Sequence, residues 1–484
     1  MKIIIVGGGN AAWMSAFILK THFKFHQIVV LDNDKNEILG VGESTTGVFS
    51  HLINSQDYNI SLPEFLKECD ATHKLGIKFI GWNDKNNIFY GPIDGSVTGT
   101  HFFDSAFYYS IFENKNVLQA SHLGKLINHK STAFFKNDYP DCLGTVAYHF
   151  DTYKTKELFK KKSINLGVIH ENFSAIDAQI NIEGDIKSVV LDDGRIIEAD
   201  FFIDASGFSR FFTKYLKNEF ISYEESLPVN SALPFIEDHS IVNNVESVTI
   251  AKTMSSGWMW MIPTKNKMGC GYVYCDKFIS DDDALKEIEK VIGRKVNPYK
   301  KIKFKTGRLK DFWVKNCLFV GPSASFLEPL ESTSIHTTLM QIYKFVDKYL
   351  RFDKKTTCLN SNIIQYNEYF SKMVDSFADF ISCHYAGGKT NTEFWKVIKI
   401  RENTKNIIEL SENRCVFNND FNSDWGFAGN PLWSYILHGT DHINKKFLKQ
   451  FYNWKPNFYE WGKNEYQNDN IEIKKFMSNK SFFN

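Results

Sequence analysis

Apolar and polar positions alternate between two rhythms along the chain. Residues 2–6 (Lys-Ile-Ile-Ile-Val) form a short β-branched run, three glycines follow, and residues 11–20 are apolar at helical spacing. A second short apolar run at 28–31 ends in Asp32. Strand, turn, helix, strand predicts the opening of a parallel α/β sheet. From about 85 to 135 the chain is rich in Phe, Tyr, Asn and Gly without a clear period, which predicts an irregular insertion carrying pocket walls. Strand-like runs return at 188–191, 201–203, 248–250, 258–262 and 317–320, so the middle of the chain reads as mainly sheet. After Ser334 the texture changes to long helical patterns through roughly Asn403, and the Lys/Asn-rich end beyond about 468 reads as a frayed terminus. The fold class expected is α/β (α+β), a mixed sheet behind a Rossmann-like βαβ unit and a C-terminal helical layer.

Composition narrows the function classes. The 484 residues are 23% charged and 43% hydrophobic, the balance of a globular protein with a core. Lys+Arg total 57 against 56 Asp+Glu, a net +1, so no surplus of positive charge is present to displace counterions from a phosphate backbone, and a nucleic-acid partner is not expected. No run approaches the roughly 18 apolar residues of a membrane span, and Gly7 to Asn10 interrupt the only stretch that resembles a signal peptide, so no membrane partner and a cytoplasmic location are expected. The eight cysteines include no CxxC pair and no zinc spacing, and read as reduced thiols. Two His-x-x-x-His spacings, His22/His26 and His438/His442, lack a third ligand and read as surface histidines, so no metal is expected. The 43 Phe, 21 Tyr and 10 Trp suit a cavity for flat ligands, or equally an aromatic core.

The most informative local motif is Gly7-Gly8-Gly9-Asn10-Ala11-Ala12, a G-x-G-x-x-A fingerprint directly after a strand, with Asp32 at the end of the next one. Glycine lets the backbone approach a pyrophosphate, the helix N-terminus offers unpaired N–H groups, and the carboxylate accepts from a ribose hydroxyl. No second fingerprint occurs, which predicts one dinucleotide rather than two. Gly387-Gly388-Lys389-Thr390 mimics the tail of a P-loop, but Cys383 stands where its first glycine belongs.

Further motifs follow in order: Trp13-Met14, Gly40-Val41-Gly42-Glu43-Ser44-Thr45, Tyr148-His149-Phe150-Asp151 and Asp204-Ala205-Ser206-Gly207-Phe208. Trp258-Met259-Trp260-Met261-Ile262-Pro263 comes next, then the segment from Phe326-Leu327-Glu328-Pro329-Leu330 through Glu331-Ser332-Thr333. Together they resemble the flavin-dependent halogenases of the tryptophan-halogenase type, from residue 3 to about 440. The W-x-W-x-I-P signature is the most specific piece.

The resemblance implies a flavoprotein-monooxygenase-like module over 1–335, with the 85–135 segment interleaved, and a mainly helical substrate-covering region over 336–484. FAD is then expected along Gly7, Gly8, Gly9, Asn10, Ala11, Ala12 and Asp32, with Gly42, Glu43, Ser44, Gly321, Pro322 and Ile335 closing on it. Lys74, in Thr72-His73-Lys74-Leu75-Gly76-Ile77-Lys78-Phe79, inherits the catalytic lysine's role, and Glu331 that of the catalytic glutamate. The backbone N–H groups of Thr333 and Ser334 inherit the halide site. Relatives usually carry Gly where this chain has Ser334, and an aromatic or aliphatic residue where it has His336, so chloride preference is not carried over and bromide or iodide stand as candidates. Pro322-Ser323 replaces the Gly-Asp that many flavoproteins place here, which speaks mildly against an ordinary aromatic hydroxylase.

The activity implied is halogenation of an electron-rich arene such as an indole or a phenol. FADH2 from a separate flavin reductase reacts with O2 to a flavin hydroperoxide, halide becomes HOX, and Lys74 delivers the halogen. Trp258 and Trp260 are tunnel candidates, or simply paired aromatics on one strand face. His101 and Phe103, in the aromatic stretch up to Phe112, are the candidate arene wall. Glu331 would hold the Lys74 ammonium protonated while burial opposes it, leaving open a hydrogen-bond donor to HOX or a haloamine. A flavin hydroxylase and a non-enzymatic flavin-binding scaffold are the alternatives, and the oligomeric state is left open.

Overall fold

The computed structural model describes residues 1–33, 43–85, 87–93, 100–135, 146–417, 420–421, 424, 426–468 and 475–483. One six-stranded sheet holds the N-terminus. Its strands run in the order Trp313–Val314, Cys317–Phe319, Phe201–Asp204, Lys2–Val6, Gln27–Leu31 and Ile169–Glu171. All neighbours are parallel except the Trp313–Val314 edge. Ile3, Ile4 and Ile5 are fully buried, as expected of a central parallel strand covered on both faces. The helix Asn10–His22 follows the first strand, as the sequence pattern predicts.

A second, seven-stranded sheet carries the W-x-W-x-I-P strand. It is ordered Ile302–Lys303, Ser231–Glu237, Met268–Tyr274, Gly257–Pro263, Val248–Met254, Gly76–Ile80 and Ile88–Pro92. A small antiparallel sheet is interleaved with both in sequence: Glu43–Ser44 pairs with Ala147–Phe150, which pairs with Thr72–Lys74. Its register sets Ser44 and Thr72 on either side of His149, and Lys74 opposite Ala147. Three segments far apart in sequence thereby meet within one strand width.

Beyond Thr333 the chain is mostly helical, including the 26-residue helix Asn360–Tyr385. Two expectations need correcting. The aromatic insertion is not irregular where it is described: it forms the helices Thr100–Phe112 and His122–Asn128, and Phe103, Phe107 and Tyr108 of the first pack with Leu123, Leu126 and Ile127 of the second in a second core. The described part of the chain end is not frayed, because Phe476–Ser478 pairs with Ser131–Phe135 and the Asn479 N–H donates to the Lys130 carbonyl. No helix among the described residues is long and apolar enough to cross a membrane.

Candidate active site

Gly7, Gly8, Gly9, Asn10, Ala11 and Asp32 line an elongated groove of about 520 Å³, while Ala12 turns into the core beneath it. Gly7 sits at φ +124, and a Cβ there would lie 2.2 Å from the Ala205 carbonyl oxygen. At Gly8 a Cβ would fall on the Asp32 carboxylate. Both positions therefore demand glycine. The helix that follows is capped by Gly9 without a side-chain hydrogen bond, so its first N–H groups face the groove. This donor set fits a dinucleotide pyrophosphate.

Asp32 accepts from the Trp13 indole at 3.1 Å and lies 3.2 Å from Lys156 and 3.8 Å from Lys160. Nothing in the sequence pointed to those two lysines or to the groove residue Thr338, whereas the groove residues Ser206 and Phe208 stand in the Asp204–Phe208 motif, which carried no expected role. Asp204 shapes the Ser206–Phe208 stretch by accepting from Ser206 N–H at 3.0 Å and Ser206 Oγ at 2.6 Å. Pro322, next to Gly321 in the Gly321–Ser323 turn, lines the groove with Ile335. Gly42 lies outside the described residues, and Glu43 is placed only as backbone, opposite Phe150.

A second cavity, of about 150 Å³, adjoins the groove. Phe208, Pro322, Ser334 and Ile335 line both. Trp258 and Trp260, two residues apart on one strand face with ring centroids 6.4 Å apart, both line this inner chamber. Glu328 lies here too, fully buried, accepting from the Trp258 indole and the Tyr385 hydroxyl. Burial pushes its carboxyl up to about 8, against those two donors.

The stretch from Glu331 to Ser334 closes the chamber. Glu331 and Ser332 both adopt left-handed backbone conformations, φ 64 and φ 57, which cost a residue with a Cβ about 1–2 kcal/mol each. The contorted turn delivers Thr333 and Ser334 to the first positions of the helix Thr333–Lys344, which has no side-chain cap. Their N–H groups point where an anion is welcome.

Lys74 is 1% exposed. Its Nζ donates to the Thr45 carbonyl and to Ser332 Oγ, both at 3.0 Å. Burial lowers its pKa to about 8, while the charge of Glu331 acts in the other direction. The two side chains do not form a direct ion pair. Instead Glu331 Oε1 contacts His384 Nε2 at 2.8 Å, and His384 Nδ1 faces the Phe380 carbonyl at 3.0 Å. Nothing in the sequence tied His384 to Glu331.

His336 is buried on the same helix. It joins Thr46 Oγ1 at 2.7 Å to the Gly426 carbonyl at 3.0 Å, and burial lowers its pKa to about 4. Phe103 stacks on Phe107 and contacts Tyr435, buried in the second core, and is not among the residues lining the chamber. His101 lies on the same helix, and its side chain is outside the description.

Of the spaced histidines His22 is exposed, as the surface reading expects, His438 and His442 are half-buried, and only His26 departs from it. His26 is buried, and its Nε2 meets the Arg351 carbonyl at 3.1 Å. His442 contacts Glu412. Among the described residues no group of three His, Cys, Asp or Glu is placed to hold a metal. The P-loop mimic follows a helix, and Lys389 donates to the Gly81 carbonyl.

Comparison with known proteins agrees with this geometry. The tryptophan halogenase family model matches residues 2–453. The tryptophan 7-halogenase RebH of Lentzea aerocolonigenes is 32% identical over 432 residues, covering 82% of this chain and 78% of RebH. The tryptophan 6-halogenase ThaL of Streptomyces albogriseolus is 27% identical, over 84% and 81% of the two chains. Among solved structures, a tryptophan halogenase from Shewanella frigidimarina superposes with a TM-score of 0.88 at 20% identity, over 100% of this chain and 97% of that one. The flavin-dependent halogenase BrvH from Brevundimonas sp. BAL3 gives 0.81 at 23% identity, over 99% and 98%. The chain belongs to the tryptophan halogenase family and is an enzyme, a flavin-dependent halogenase.

Proposed function

We propose that the protein halogenates an electron-rich aromatic carbon of the indole or phenol class, with Lys74 handing on the halogen. One observation carries the reading: the Lys74 amine is interior and is held by Ser332, in the same turn that aims Thr333 and Ser334 at the junction of groove and chamber. In this reading residues 1–335 hold the flavin and 336–484 cover the substrate.

Reduced FAD, delivered by a separate reductase, would be held by Gly7 to Ala11, Asp32, Gly42, Glu43, Ser44, Gly321, Pro322 and Ile335, and would give two electrons to O2, bringing it to the peroxide level that oxidises halide to hypohalous acid. The N–H groups of Thr333 and Ser334 hold the halide. The walls formed by Trp258 and Trp260 confine the hypohalous acid, which would otherwise attack any exposed arene.

An amine with a pKa of about 8 is mostly charged at neutral pH, so Lys74 acts as a hydrogen-bond donor to the oxygen of HOX. The halogen passes to the ring carbon, the oxygen takes a proton from the Lys74 ammonium and leaves as water, and Glu331, held by His384, accepts the ring proton, so that one proton given balances one taken up. Bromide and iodide are favoured over chloride, because they shed water and oxidise more readily, and the Ser334 side chain removes the ground for carrying over a chloride preference.

The test supplies chemically reduced FAD, air, equal chloride and bromide, and indole, phenol or tryptophan, with products read by mass spectrometry. Brominated indole from the wild type and none from a Lys74→Ala variant that retains FAD is the expected result. Halogenated product from that variant, or hydroxylated product alone from the wild type, overturns the reading.

A further inference from the structure

Behind Ser332 the hydrogen bonds continue. Ser332 Oγ lies 2.7 Å from Ser44 Oγ, Ser44 Oγ lies 3.2 Å from Thr249 Oγ1, and Thr249 Oγ1 lies 2.8 Å from His149 Nε2. On the far side of the ring Nδ1 faces Thr72 Oγ1 at 3.4 Å. Thr72 in turn donates to the Pro263 carbonyl at 2.7 Å. Ser44, Thr72, His149 and Thr249 are all buried.

These contacts have one consistent direction. The Thr72 hydrogen is on the Pro263 carbonyl, so toward Nδ1 Thr72 can only accept, and Nδ1 carries the ring hydrogen. Nε2 is then a lone pair to which Thr249 donates. Having donated, Thr249 accepts from Ser44, Ser44 accepts from Ser332, and Ser332 presents lone pairs to Lys74. The Thr45 carbonyl is likewise an acceptor only. An ammonium, with three donors, suits two acceptors; a free amine would need a donor for its lone pair.

We propose that His149 is a positioning residue for halogen transfer: by ending the Ser332–Ser44–Thr249 chain as an acceptor, it turns every hydroxyl hydrogen away from Lys74 and holds the lysine as an ammonium with one hydrogen left for the hypohalous acid. This rests on the reading of Lys74 given above. The charge that bears on Lys74 is that of Glu331, from the turn before the halide helix, while His149, from the strand paired with its own, feels the lysine's charge in turn. His384 acts only through Glu331. His73, on the lysine's own strand, is pushed by burial down to about 3 and stays neutral. Burial, then the lysine's charge, holds His149 well below its ordinary value, with the Pro263 backbone opposing, which keeps the ring a neutral acceptor.

His149→Phe keeps the bulk but removes the acceptor, so the chain can reverse and Ser332 can donate to a neutral amine. In single turnovers started with reduced flavin, halogenation is expected to slow about tenfold, the worth of one hydrogen bond to a charged group, with the arene KM unchanged. The alkaline limb of the rate is expected to move about one pH unit lower, because the ammonium has lost an oriented acceptor. His149→Gln can accept from Thr249 and donate toward Thr72, and should restore both rate and limb. Thr249→Val breaks the chain one link away, should behave like His149→Phe, and carries the test if the Phe variant does not fold. An unmoved limb in Thr249→Val or in folded His149→Phe, or a Gln variant as slow as the Phe variant, overturns the proposal. Lys74→Ala separates the two claims: product from it removes the lysine's role, whereas a silent Lys74→Ala beside wild-type-like His149→Phe and Thr249→Val removes only that of His149.

Discussion

The groove and the chamber meet at Ser334 and Ile335 yet are built by opposite means. The groove is largely backbone, with glycine wherever the chain must come close or turn the unusual way. The chamber is side chain: a buried glutamate and hydroxyls on its wall, an interior lysine held behind that wall by Ser332, and two residues bearing a Cβ held in left-handed conformations. A binding surface of amides and glycines costs little when empty. A reactive chamber holds charges and strain that the rest of the fold must offset.

The sharpest way to break this contrast is a pair of substitutions. Lys74→Met should lower turnover by about a thousandfold or more, the usual range for losing a positioned proton donor. It should also stabilise the protein. Burial lowers the lysine's pKa from 10.5 to about 8, so between those values the unfolded chain binds more protons and stability rises with pH. At pH 7 both states are protonated and the fold bears the whole cost, about 3 kcal/mol before the two lost hydrogen bonds are subtracted, or ~1–2 kcal/mol net. Gly8→Ala should do the reverse, losing flavin affinity and about 2–3 kcal/mol of stability as the new methyl meets Asp32. Urea unfolding at pH 7 reads both. A Lys74→Met variant less stable than the wild type would mean that its hydrogen bonds outweigh desolvation.

How much was legible in sequence follows the same division. The fingerprint, its strand and helix, and Asp32 lie within one stretch of 32 residues, so local spacing carried the groove. The W-x-W-x-I-P strand put two indoles on one face by its period of two, and both line the chamber. The partners of the reactive groups were not legible. His384 meets Glu331 across 53 positions and Thr249 meets His149 across 100, contacts that only tertiary packing creates. The aromatic segment failed for another reason. So many Phe and Tyr residues masked a helical period whose apolar side, Phe103 and Phe107, packs on Tyr435.

Glu328 offers a smaller test of the chamber's cost. Its carboxyl is raised from 4.5 to about 8 by burial, so between those values the folded chain holds the extra proton and stability falls as pH rises. Glu328→Gln keeps an acceptor for Trp258 and Tyr385 without a charge to neutralise. It should flatten that fall and gain about 2 kcal/mol at pH 7 over the wild type, with no gain at pH 4. Equal gains at both pH values would assign the effect to packing rather than titration.

The smallest effect isolates the strain itself. Ser332→Ala and Ser332→Gly both delete the hydroxyl that holds Lys74, so both should slow halogenation to the same degree. They differ in backbone freedom alone, because Gly accepts φ 57 without penalty and Ala does not. The Gly variant should therefore be more stable than the Ala variant by about 1 kcal/mol, the steric cost of a Cβ in that region after the looser unfolded state of glycine is subtracted. Equal stabilities would mean that the turn relaxes once the hydroxyl is gone. The left-handed conformation would then be imposed by the bonds to Lys74 and Ser44 rather than by the packing of the turn.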